Sequence, residues 1–209
     1  MLRFVFFDVG GVLIKDFSKT NKWEGLMDYW RVKKEQQNEF SEWWDEIEPK
    51  LDIGESLTSL LPVFRNKYGV KVDEESDVLG DFVDRFERNE ALWSVVREIK
   101  KNQRVGLLTN MYPQMLDRIK QVGLLPEVDW DQVVDSSIMG VRKPDEAIFE
   151  RAEELTGVSG EEILFIENTK RHLETAKGRG WNTYQFDCSD YEKSSSGAMS
   201  LYLELTKND

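Results

Sequence analysis

Arg3-Phe4-Val5-Phe6-Phe7-Asp8-Val9-Gly10-Gly11-Val12-Leu13 is the stretch on which the reading of this chain turns. A run of strand-forming apolar residues leads to a single carboxylate, and a pair of glycines follows almost at once. A strand buried on both faces of a parallel sheet reads as an unbroken apolar run. Ligands bind just beyond the carboxyl ends of such strands, which is where Asp8 falls. Gly10 and Gly11 let the backbone turn and approach a bound group closely. An aspartate so placed is a candidate covalent nucleophile. Read alone, the segment fits equally well an ordinary turn aspartate closing a strand.

Four more short strands are expected downstream. Residues 104–108 lead into Thr109-Asn110, residues 132–134 into Asp135, residues 162–166 into Glu167-Asn168, and residues 183–186 into Asp187. Helical patterns lie between them. Asn89 is placed to cap a helix carrying Leu92, Val95, Val96 and Ile99. Residues 113–122 stop at Gly123, residues 144–155 begin with Pro144 and stop before Gly157, and residues 169–177 end at Gly178-Arg179-Gly180. Such alternation predicts an α/β fold, a Rossmann-like doubly wound parallel sheet with helices on both faces.

Residues 16–88 break the rhythm. They show no strand pattern and read as helices near 21–32, 34–47, 55–68 and 73–86. Pro62 is expected to restart the third and Asp73 to cap the last. The expected organisation is an α/β core of residues 1–15 and 89–209 with an all-helical cap of residues 16–88 inserted into it. Hinges are expected near residues 14–17 and 85–89. Ser194-Ser195-Ser196-Gly197 reads as a loop before a short terminal segment.

Composition narrows the function. Lys and Arg number 28 against 40 Asp and Glu, a formal net charge of −12, which repels nucleic-acid phosphates. A lone cysteine, Cys188, excludes an internal disulfide and suits a reducing compartment. The N-terminal apolar run is too short for a membrane span, carries Asp8, and lacks signal-peptide features. The expectation is a cytoplasmic protein with a small-molecule substrate and neither nucleic acid nor membrane as partner; oligomeric state is left open. His172 is the sole histidine, so a histidine triad or multi-histidine metal site is excluded, and it reads as a surface helix residue. Cys188 reads as a structural or exposed thiol. Trp23, Trp30, Trp43 and Trp44 read chiefly as packing within the cap, with one or two facing a substrate. Arg142 reads as a salt-bridge or solvent residue, and Arg31, Lys33 and Lys34 as solvated charges.

In a doubly wound sheet the strand ends converge on one crevice. That crevice would gather Asp8, Thr109, Glu167 and Lys143. A carboxylate nucleophile, a hydroxyl, an ammonium and a second carboxylate suit phosphoryl transfer. The motifs Phe7-Asp8-Val9-Gly10-Gly11-Val12-Leu13, Leu107-Leu108-Thr109-Asn110, Val141-Arg142-Lys143-Pro144-Asp145 and Leu164-Phe165-Ile166-Glu167-Asn168 occur in this order. On them the chain resembles a haloacid dehalogenase-superfamily hydrolase over nearly its whole length. The resemblance implies that Asp8 attacks phosphorus to form an aspartyl-phosphate. It implies that Thr109, Asn110, Gly10 and Gly11 hold phosphoryl oxygens and that Lys143 pairs with Asp8 and the phosphate. It also implies Mg2+ held by Asp8, the Gly10 carbonyl, Glu167 and Asn168. The substrate would be a small phosphate ester.

Two departures from the resembled pattern matter. Gly10 stands where phosphatases of this kind carry a second aspartate as general acid and base. Losing such a group costs on the order of a hundredfold to ten-thousandfold in rate. This favours esters with good leaving groups and disfavours a phosphomutase. Glu167-Asn168 stands where Asp-Asp is common, which predicts loose magnesium binding, and Asn168 equally suits capping of the next helix. A metal-independent haloacid dehalogenase, with Asp8 attacking carbon, and a weakened family member with a binding role remain as alternatives.

Overall fold

The computed structural model describes residues 1–72 and 75–207. Strand β1 (Phe4–Phe7) is fully buried because it lies at the centre of a sheet covered on both sides. Phe4 and Phe6 enter one apolar core, Val5 and Phe7 the other. Alternate side chains point to opposite faces, so a strand with two dry faces has no polar position to spare.

From β1 the chain turns into a two-residue strand β2 (Ile14–Lys15) and then into helices α1 (Lys22–Tyr29), α2 (Gln37–Leu51), α3 (Leu61–Tyr68) and α4 (Val78–Val83). It returns through β3 (Glu87–Arg88), α5 (Glu90–Lys100), β4 (Arg104–Thr109), α6 (Met115–Gln121), β5 (Gln132–Asp135) and α7 (Ser136–Met139). It finishes with α8 (Glu146–Thr156), β6 (Ile163–Glu167), α9 (Lys170–Gly178), β7 (Asn182–Gln185) and α10 (Tyr191–Thr206). The main sheet has the order β5-β4-β1-β6-β7. All its ladders are parallel, with Phe7 opposite Leu107 on one side and Ile166 on the other. This common register brings Asp8 and the ends of β4 and β6 to one edge of the sheet.

Several local expectations meet a different outcome. The segment expected to be strand-free ends in β3, which pairs antiparallel with β2, Ile14 opposite Arg88 and Lys15 opposite Glu87. Two residues carry no periodic signal, and both residues of β3 are exposed. The last helix of the inserted segment is Val78–Val83, capped by the Asp77 carboxylate on the Gly80 amide; Asp73 lies outside the described residues. Pro62 does restart a helix, sitting in the first turn of α3 after a 3-10 turn at Leu57–Leu60. The serine run is not a loop but part of α10. Its small side chains let the helix lie against β7, where a Cβ at Gly197 would collide with the Tyr184 hydroxyl. The Ser194 hydroxyl donates to the Asp187 carbonyl and that of Ser196 to the Glu192 carbonyl.

The return from the helical segment is pinned to the turn after β1. Asn89 is buried; its Nδ2 donates to the Val12 carbonyl at 2.7 Å and its Oδ1 accepts from the Leu92 amide at 3.4 Å. The Trp93 indole N–H donates to the Leu13 carbonyl at 3.0 Å. Asn89→Ala removes a helix cap and strands a buried carbonyl. It is expected to lower stability by about 2–3 kcal/mol in urea denaturation, whereas Ser94→Ala, at an exposed position on the same helix, is expected to stay within about 0.5 kcal/mol.

Candidate active site

Lys143 sits at the centre of the convergent edge and is wholly buried. Its Nζ lies 2.9 Å from Asp8 Oδ1 and 2.6 Å from Glu167 Oε2, and donates to the Leu108 carbonyl at 3.0 Å. An ammonium can be buried when each of its donors has an acceptor. Its backbone is clamped by the Asn110 side chain, which accepts from the Lys143 amide at 2.8 Å and donates to its carbonyl at 3.0 Å. Asn110 therefore acts through its side chain as well as its place at the end of β4.

Asp8 presents one oxygen to the protein and keeps the other free. Oδ1 takes both the Lys143 contact and the Val9 amide at 2.8 Å, and no hydrogen bond from the described residues reaches Oδ2. Glu167 is committed on both oxygens. Oε1 accepts from the Thr169 amide at 2.8 Å, and Oε2 meets Lys143 and, at 3.1 Å, His172 Nδ1. His172 is accordingly buried, not on the surface as its polarity suggested. Cys188 is buried too, its Sγ donating to the Gly11 carbonyl at 3.1 Å.

Burial and the like charge of Glu167 raise the Asp8 carboxyl to about 7 against the pull of Lys143. Burial also works against Glu167, but Lys143 and His172 outweigh it and hold this carboxyl near 2. The shorter contact and the second partner explain the unequal split. Burial opposes the Lys143 ammonium, yet Asp8 and Glu167 together keep its pKa above the ordinary lysine range. Burial lowers His172, so its ring is neutral near pH 7, and Nδ1–H donates to Glu167.

A cavity of about 420 Å³ opens above Asp8. Its floor includes Asp8, Gly10, Asn110, Lys143 and Asn168, and its roof Trp23, Trp44, Phe82 and Phe86 from the helical segment. Trp30 packs behind the roof, its ring 5.3 Å from that of Phe64. The remaining expected site residues lie behind the wall. Thr109 is buried at the end of β4 with its hydroxyl 3.5 Å from the Asn110 carbonyl, and Glu167 lies beneath Lys143. Gly11, at φ +70°, is packed where a Cβ would strike Asn168 and Ser18. Asn168 makes no capping bond to α9, whose cap position is Thr169. Its Nδ2 lies 3.4 Å from Ser18 Oγ and 3.3 Å from Cys188 Sγ.

The cavity also holds groups to which the sequence assigned no catalytic or binding role. Tyr112 donates to Glu48 Oε1 at 2.9 Å, and Arg142 Nε stands 3.1 Å from Asp52 Oδ2 without hydrogen-bond alignment. Asp16 lines the same wall, its Oδ1 accepting from the Ser18 amide at 2.8 Å. Arg31, Lys33 and Lys34 do not line it.

The family model for haloacid dehalogenase-like hydrolases matches residues 2–180. The chain belongs to that family. As a haloacid dehalogenase-like hydrolase it shares its fold with several solved structures. A HAD-like family hydrolase from Porphyromonas gingivalis is 24% identical, with 97% of this chain and 98% of that one covered and a TM-score of 0.78. A HAD family enzyme from Bacteroides thetaiotaomicron, solved with magnesium and inorganic phosphate, is 18% identical, with 91% and 96% covered and a TM-score of 0.75. The L-2-haloacid dehalogenase of Xanthobacter autotrophicus, with chloropropionic acid covalently bound, is 19% identical, with 89% and 78% covered and a TM-score of 0.60. No curated protein matches.

Asp52 allows a check on the electrostatics of this hydrolase. Burial first, then the charge of Glu48, raise its carboxyl from 3.8 to about 7, with Arg142 opposing. A raised folded-state pKa means stability present at low pH and lost as the pH climbs. Compared with Asp52→Asn, the unaltered protein is expected to lose thermal stability between pH 4 and 7, with the difference level above about 7. A difference independent of pH would show that Asp52 ionises as it does in the unfolded chain.

Proposed function

We propose that this hydrolase is a magnesium-dependent phosphatase acting on a small phosphorylated metabolite, with Asp8 as the nucleophile. The observation that carries the reading is the Asp8–Lys143 contact at the cavity floor, which anchors Oδ1 and leaves Oδ2 free to attack. The relative from Bacteroides thetaiotaomicron that holds magnesium and inorganic phosphate supports it.

The metal fits the donors on this floor. No group of three His, Cys, Asp or Glu able to hold a metal occurs among the described residues. The oxygens that would hold it are the Asp8 carboxylate, the Gly10 carbonyl, to which no hydrogen bond is made among the described residues, and the Asn168 amide. Hard oxygen ligands suit magnesium, and with a single carboxylate among them the binding is expected to be weak. Glu167 serves this reading by holding Lys143. When bound, magnesium would neutralise charge on the phosphoryl group.

The residues of the chain divide the remaining work. Lys143 offsets negative charge on the transferring group, and Asn110 keeps the lysine backbone in place. Trp23, Trp44, Phe82 and Phe86 exclude bulk water from the bond being broken. The β2–β3 ladder serves as the hinge through which the helical cap admits substrate and releases product. The cavity volume suits one small metabolite.

Hydrolysis of p-nitrophenyl phosphate and a panel of phosphometabolites, with magnesium or with chelator, tests the proposal. The expected result is magnesium-dependent phosphate release that falls to background in Asp8→Asn and by roughly a hundredfold to a thousandfold in Lys143→Met. The covalent chloropropionic acid of the Xanthobacter autotrophicus relative favours a second reading, attack of Asp8 on carbon. Metal-independent halide release from 2-chloropropionate without phosphate release would select it. Turnover of neither class would leave a binding role.

A further inference from the structure

We infer that Asp16, from the connection between β2 and the helical cap, is the acid–base residue of this site. In this role it protonates the leaving group and then deprotonates the attacking water. The inference rests on the phosphatase reading above.

A Cβ placed on Gly10 would lie 2.7 Å from Asp16 Oδ2. In an aspartate the distance from Cβ to a carboxylate oxygen is about 2.4 Å, from one C–C and one C–O length. Asp16 Oδ2 therefore stands close to where a carboxylate oxygen borne by residue 10 could stand. Gly10 does not have the positive φ that would demand glycine there. The only atoms that a Cβ at position 10 would crowd, among the described residues, are those of the Asp16 carboxylate, which would have to shift to admit it. Position 10 lies two residues beyond the nucleophile, and Asp8, Gly10 and Asp16 line the same cavity, so a proton carrier in that space shares the cavity with the reacting group.

The other titratable groups on the cavity wall are otherwise engaged or differently placed. Glu48 accepts from Tyr112, Asp52 faces Arg142, and the His172 ring is anchored by Nδ1 on Glu167, its Nε2 being buried without a hydrogen-bond partner among the described residues. Asp45 belongs to α2 and is exposed, with no contact to Gly10 among the described residues. Asp16 is oriented by the Ser18 amide on Oδ1, which leaves Oδ2 on the Gly10 side. Its segment leads from the hinge ladder into the cap, so the proton carrier and the water-excluding roof belong to one connected piece of chain.

The chemistry balances as two steps. Asp8 Oδ2 forms a bond to phosphorus as the ester P–O bond breaks, and the departing oxygen takes its proton from the Asp16 carboxyl. The Asp16 carboxylate then accepts a proton from water as the water oxygen bonds to phosphorus. That breaks the Asp8–phosphorus linkage, frees inorganic phosphate and returns Asp16 to its protonated form.

Asp16→Asn keeps the shape and the Ser18 contact while removing the proton carrier. With an alkyl phosphate the unaltered protein turns over, the variant is expected to lose on the order of a hundredfold to ten-thousandfold in rate. With acetyl phosphate, whose leaving group needs no proton, the variant is expected to phosphorylate at Asp8 nearly as fast and then stall. Intact-mass measurement would show the accumulated phosphoenzyme. Moving the carboxylate back, by Gly10→Asp with Asp16→Ser, is expected to recover alkyl-phosphate turnover lost in Asp16→Ser. This pair decides the question if Asp16→Asn does not fold. Undiminished alkyl-phosphate turnover in Asp16→Asn, equal losses on both substrates without a trapped phosphoenzyme, or no recovery in the double variant would each overturn the inference. No turnover of any phosphate by the unaltered protein would instead remove the phosphatase reading, and this inference with it.

Discussion

A fully buried ammonium held between two carboxylates sets the terms for the rest of the molecule. Charges taken out of water destabilise a fold unless they are paired and their hydrogen bonds satisfied. Lys143 meets that condition only if three parallel strands end in register, because its partners come from the turn after β1, the carbonyl of Leu108 in β4, and Glu167 at the end of β6. Removing one partner from such a group typically costs about 3–5 kcal/mol. The sheet and the site are thus one construction: the register that buries the apolar strands also neutralises the lysine.

The same arrangement divides labour between two acids of the same charge. Glu167 takes the shorter contact and a histidine besides, and is held ionised. Asp8 is left with a free oxygen and a raised pKa, facing the open side. The roof is equally economical. Trp23 and Trp44 pack against Phe40 and Phe82 within the helical segment while presenting a surface to the cavity, so the same rings serve the core and the cavity wall. Aromatic side chains suit both tasks because they are large and have few rotatable bonds.

The positions that escaped sequence reading share a cause. His172 looked like a surface residue because α9 is otherwise highly polar; only its partner, five residues back at the end of β6, draws it inward. The serine run of α10 resembled a loop because serine competes with its own backbone, yet packing on Tyr184 rewards small side chains there. Asp16 was unremarkable in a polar linker until the turn after β1 brought it over Gly10. The Arg142–Asp52 and Tyr112–Glu48 contacts join residues far apart in the chain and have no local signature.

What the sequence determined by itself was whatever local pattern encodes: the apolar strands with polar residues at their ends, the amphipathic helices with their caps and glycine stops, and the change to helical patterns from about Asp16. Those patterns are enough for an α/β sheet, a helical insertion and the convergence of Asp8, Lys143 and Glu167 on one edge. Tertiary structure alone decided which of these groups face the cavity and which stand behind it. Thr109, Gly11 and Glu167 went behind the wall, while Asp16, Tyr112 and Arg142 came forward. The reason is physical: facing depends on side-chain direction and on neighbours from distant segments, and neither leaves a period in the chain.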